Sequence, residues 1–111
     1  MGMSDYIPFP VVDGGGGQSV ANYSLISMVE TTAELAPNTF YRWGEVESLT
    51  ITLGAETAGI ANEYFFEFVS GATATTLTVP QTVKWVSEPS IEANKTYQVS
   101  VLDNIGVIIG A

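Results

Sequence analysis

Residues 62–111 read NEYFFEFVSGATATTLTVPQTVKWVSEPSIEANKTYQVSVLDNIGVIIGA, and the fold is decided in this stretch. Tyr64, Phe66 and Phe68 share one face of an alternating run. Leu77 and Val79 alternate with threonines, Val83 and Trp85 flank Lys84, and Tyr97, Val99 and Val101 alternate with Gln98 and Ser100. Ile105, Val107 and Ile109 repeat the pattern at the end. Gly, Pro, Asn and Ser punctuate the runs. A period of two between turn residues is the mark of strands with one face in a core. The reading is therefore of half-buried antiparallel strands, with Trp85 inside and Asp103-Asn104-Ile105-Gly106 as a tight hairpin turn or bulge.

Working back towards the N-terminus, the same pattern holds. Leu49, Ile51 and Leu53 alternate with Ser48, Thr50 and Thr52, the cleanest strand in the chain. Phe40 to Trp43 is a short aromatic strand ended by Gly44, and Pro37-Asn38 is a turn signal. Residues 24–29 fit a strand or a helix on spacing, and Thr31 and Thr32 favour the strand. The fold class that follows is all-β: a small antiparallel β-sandwich or jelly-roll-like domain over residues 23–111.

Residues 1–22 have a different character. Tyr6, Ile7, Pro8, Phe9, Pro10, Val11 and Val12 form an apolar run whose two prolines forbid a helix and a central strand. Gly14 to Gly17 follow as a four-glycine run. The segment reads either as a disordered terminus or as an extended arm that orders on a partner. Its apolar composition, unusual for a disordered tail, is the ground for the anchor.

Composition narrows the function. The chain has 111 residues, no Cys and no His, so disulfides, thiolate metal sites and the commonest general base are all missing. Arg42, Lys84 and Lys95 stand against twelve acids, a net charge of −9. That balance repels nucleic acid and anionic membranes, whose binding rests on basic side chains. No apolar run is long enough to span a bilayer as a helix, and the N-terminus lacks the pattern of a signal peptide. Neither a catalytic motif nor a calcium-loop motif occurs, so no enzyme activity, metal or other cofactor is expected.

Two groups remain as candidate binding residues. The aromatics Tyr41 and Trp43, with Trp85 and Tyr97, could form a sugar-stacking platform. The second group is Glu63, Phe65, Glu67 and Val69, the face of their strand opposite Tyr64, Phe66 and Phe68. An outward Phe between two glutamates points either to a subunit interface or to a strand covered on both faces within one chain.

Several segments together resemble a β module of tailed-bacteriophage virion proteins. They are LAPNTFYRWGEV at 35–46, LTITL at 49–53, EYFFEFVSG at 63–71, TLTVP at 76–80, VKWV at 83–86, Pro89, NKTYQVSV at 94–101 and Gly106. The resemblance covers Thr31 to Ala111. Such modules end head-fibre, decoration and tail-associated proteins, and they carry no catalytic residues. What it implies is a structural, multimeric protein on the virion, made in the cytoplasm of a host bacterium. The expectation is a capsid-decoration or head-fibre subunit, a homotrimer whose residues 6–12 grip capsid or other virion proteins while the acidic β domain points outward. The alternative is a tail-fibre tip that binds host-surface glycans.

Overall fold

The computed structural model describes residues 22–111 and, ahead of them, a short antiparallel ladder between Asp13–Gly14 (β1) and Gly17–Gln18 (β2). The other strands are Ser24–Met28 (β3), Thr32–Leu35 (β4), Thr39–Glu45 (β5), Ser48–Leu53 (β6), Glu63–Ser70 (β7), Thr76–Thr78 (β8), Lys84–Trp85 (β9), Lys95–Leu102 (β10) and Ile105–Gly110 (β11). No helix occurs among the described residues, so the all-β reading holds.

The pairing departs from the antiparallel expectation. From β3 to β8 the chain alternates between two sheets. Odd strands enter a six-stranded sheet ordered β3-β5-β7-β10-β11-β9, and even strands enter a three-stranded sheet ordered β4-β6-β8. Each pair of strands is thus one coil, and successive coils stack, so β3, β5 and β7 are parallel, as are β4, β6 and β8. Beyond β7 the large sheet continues antiparallel through β10 and β11, with β9 parallel to β11 at the far edge. Alternation reports which side of a strand is buried and is blind to the direction of its neighbour. Coil lengths also differ: Ser24 lies beside Thr39, but Phe40 beside Phe65. The sequence therefore shows no repeat.

Between the sheets lies one apolar core. The large sheet supplies Tyr41, Trp43, Tyr64, Phe66, Phe68, Tyr97, Val99 and Val101, and the small sheet Leu35, Leu49 and Ile51. The aromatic rings run in a chain. Trp43 meets Phe66 edge-on at 6.2 Å, Phe66 stacks on Phe68 at 6.3 Å, and Phe68 on Tyr97 at 5.5 Å. Contacts of this kind contribute about 0.5–1.5 kcal/mol each beyond area burial.

The polar tips of the core aromatics fasten the corners. Trp43 Nε1 donates to the Glu30 carbonyl at 2.6 Å, and Tyr64 Oη to the Gly54 carbonyl at 2.6 Å. The Ala36 amide donates to Tyr41 Oη at 2.8 Å and the Glu92 amide to Tyr97 Oη at 2.7 Å. One side chain thus fills the core and satisfies a backbone group that a corner leaves unpaired.

The last hairpin corrects one assignment. Asp103 and Asn104 both have positive φ, 51° and 63°, the geometry of a two-residue type I′ turn. It fixes a register in which Val99 faces Ile108 and Val101 faces Gly106. Gly106, Ile108 and Gly110 therefore point inward, and Ile105, Val107 and Ile109 outward. The phase follows from space: a Cβ at Gly106 would lie 2.9 Å from both the Trp85 ring and Val83 Cγ1, and one at Gly110 would run into the Tyr97 ring. Gly106 and Gly110 are small because the Trp85 and Tyr97 rings lie over them, while Ile108 between them packs against the core.

Candidate functional site

The outer face of the six-stranded sheet gathers the side chains not used by the core. Strand registers place Leu25, Phe40, Phe65, Ser100 and Val107 in one row across it. A second row runs Ser27, Arg42, Glu67, Gln98, Ile109, and a third Glu63, Leu102, Ile105, Lys84. The face therefore has two apolar patches. One, on β3, β5 and β7, is Leu25 with Phe40 and Phe65; the other, across β10 and β11, is Leu102 with Ile105, Val107 and Ile109. Leu25 is 54% exposed and Ile109 62%.

A polar seam separates the patches. Glu67 accepts from Gln98 Nε2 at 3.0 Å and pairs with Arg42 Nε at 3.0 Å, while the Arg42 guanidinium sits 5.2 Å above the Phe40 ring. Glu63 accepts one hydroxyl on each oxygen: Tyr23 Oη at 3.0 Å and Ser100 Oγ at 2.5 Å. Burial, and next the hydrogen bond and charge of Glu63, push the Tyr23 phenol up to about 12. The seam ties β5, β7 and β10, and Tyr23 just ahead of β3, together through side chains as well as backbone.

Glu63, Phe65, Glu67 and Val69 thus share one face, as their spacing implied, and all four are half-buried. Phe65 is less exposed than its position between glutamates implied, because the Phe40 ring lies 4.5 Å away, tilted by 31°. Sequence reasoning missed Phe40, Leu25 and the β11 side chains as members of this face. Phe40 was legible in principle, since it alternates with Tyr41 and Trp43. Its juxtaposition with Phe65 needs the parallel pairing of β5 and β7.

The sugar platform at Tyr41 and Trp43 is overturned. Both are core residues, 6% and 1% exposed, and they pack on each other at 6.4 Å between centroids. No ring face is left for a sugar. Trp85 points inward from β9 but stays half-buried, at the wall of an open groove of about 280 Å³ with Leu77, Val79, Glu88, Pro89 and Ile91. Residues 6–12, the expected anchor, lie outside the described residues.

Among the described residues no three acidic side chains cluster as a metal site would require, and no helix is long and apolar enough to cross a membrane. Comparison of the chain with protein-family models, with curated protein sequences and with solved structures finds no match in any of the three.

Proposed function

We propose that this chain is a structural subunit of a tailed-bacteriophage virion, a capsid-decoration or head-fibre protein that works as a homo-oligomer, a trimer in the simplest arrangement. The observation that carries the reading is the outer face of the six-stranded sheet, where two apolar patches meet solvent in a chain of net charge −9. Exposed apolar area of this kind marks contact with another protein. The resemblance of residues 31–111 to a virion module supplies the setting. Residues 6–12 supply an apolar run suited to attachment, and the acidic surface keeps decorated particles apart.

The test is to add labelled chain to particles and locate it by electron microscopy, with the full chain beside one lacking residues 1–12. Full-length protein should decorate heads, and the shortened one should fold with an unchanged melting transition and fail to bind. Binding of the shortened chain at wild-type level would remove the attachment role of residues 6–12. Failure of both to bind heads would remove the capsid assignment.

The groove beside Trp85 favours a second reading, a glycan-binding tip. An aromatic wall with a carboxylate, Glu88, at its rim is chemistry that sugar rings use. Quenching or a blue shift of Trp85 emission on titration with host-surface polysaccharide would support it; unchanged emission would oppose it.

A further inference from the structure

The two patches on the outer sheet face differ in kind, and that difference bears on how copies meet. The Phe40–Phe65 patch is aromatic and is bordered by Glu63 and Glu67. The Val107–Ile109 patch is aliphatic and is bordered by Lys84, which stands beside Ile105 at the far edge. Arg42 pairs with Glu67 and Lys95 with Glu92; Lys84 is the cation with no carboxylate in reach among the described residues. The acids thus lie on β7, with Arg42 paired to Glu67, and the cation without a carboxylate lies on β9, on opposite halves of one sheet.

We infer that copies of this chain associate head to tail, the Phe40–Phe65 patch of one copy seated against the Val107–Ile109 patch of the next, about an axis parallel to the strands. The inference rests on the homo-oligomer reading above and adds its geometry. Rotation about an axis along the strands keeps every residue at its own level. Phe65 and Val107 occupy the same row, so aromatic meets aliphatic. Glu63 and Lys84 occupy the neighbouring row, so the lone cation of one copy arrives at the carboxylate of the next. A two-fold across the strands does the reverse. It inverts the levels and lays the Glu63–Glu67 seam against itself, with one Arg42 from each copy to offset four carboxylates. Like charges set face to face in this way select against that partner arrangement. A head-to-tail contact uses both patches on every copy and closes into a ring when the rotation allows.

Contacts between opposite halves have a property that contacts between like halves lack: defects in opposite halves complement. The experiment measures mass by light scattering for full-length wild type, Phe65→Glu, Val107→Glu and an equimolar mixture of the two variants, with circular dichroism to verify the fold. Leu25→Glu and Ile109→Glu, at more exposed positions, form a second pair should Phe65→Glu lose its fold. The expected result is a multimeric wild type, two monomeric variants and a mixture at dimer mass, since each mixed pair retains one intact junction. A variant of either patch that keeps the wild-type mass overturns the head-to-tail pairing and leaves the homo-oligomer reading standing. So does a mixture that stays monomeric. A wild type that is monomeric at every concentration overturns both, and assigns the face to the chain's own residues 1–21 or to a different protein.

Discussion

Gly106→Ala tests the packing that sets the phase of β11. Gly106 is buried and sits under the β9 strand, which is held by the Lys84 amide on the Asn104 carbonyl at 2.6 Å and the Val86 amide on the Gly106 carbonyl at 2.9 Å. A methyl group there would lie 2.9 Å from Trp85 Cε3 and Val83 Cγ1 and 3.0 Å from Trp85 Cζ3. Those are closer than carbon atoms settle, so β9 or the indole must move. Overpacking of this kind costs about 1–3 kcal/mol. Alanine also lowers the entropy of the unfolded chain, which returns about 0.4–1 kcal/mol. The net expectation is a loss of roughly 0.5–2 kcal/mol, a fall of several degrees in Tm for a domain of this size. Because the indole is the softest neighbour, Trp85 emission should also shift to the red. Urea unfolding followed by circular dichroism and by fluorescence gives both numbers. Val107→Ala is the control: its side chain is 43% exposed, and in the monomer it should cost far less than a core truncation. A neutral Gly106→Ala beside a Val107→Ala that costs 2 kcal/mol or more would refute the inward glycine phase.

Two further predictions follow from the same geometry. Tyr23 has its phenol raised to about 12 in the fold against an ordinary value of 10.0, so the neutral form is the one that the fold favours. Its stabilising contribution is complete below pH 10 and is lost as pH climbs from 10 towards 12. Tyr23→Phe should therefore flatten the alkaline loss of stability relative to wild type, and phenolate absorbance should lose one late-titrating tyrosine. Tyr64, also raised by burial, remains in both proteins, so an unchanged difference curve would sink the assignment to Tyr23. The second concerns the two tryptophans. Neutral acrylamide, which the chain's negative charge does not repel as it would iodide, should quench Trp85 at its groove and spare Trp43, 1% exposed. Equal quenching of Trp85→Phe and wild type would contradict the groove.

What the sequence made legible is what a single strand can report. The inward sets Tyr64-Phe66-Phe68, Leu49-Ile51 and Tyr97-Val99-Val101 all lie in the core as their alternation implied, because burial on one face leaves a period of two in any sheet. The turns at Asn38 and Asp103-Asn104 were legible for a similar local reason, since Asn and Asp tolerate positive φ. Facts that join two distant strands were hidden. The parallel coils, the meeting of Phe40 with Phe65 and the burial of Tyr41 and Trp43 all depend on which strand lies beside which. The β11 error shows how the local rule fails. Ile105, Val107 and Ile109 obey the alternation as well as any run in the chain, but apolarity ceased to mean inward once Trp85 and Tyr97 filled the inner side. That failure bears on function. A strand that turns Ile105, Val107 and Ile109 out and Gly106 and Gly110 in adds only Ile108 to the core of the monomer. It places its apolar area where only a second surface can cover it. The same strand carries the aliphatic half of the contact proposed between copies, so the misreading of β11 and the exposed apolar face come from one packing arrangement: indole and phenol rings over Gly106 and Gly110, with Ile105, Val107 and Ile109 outside.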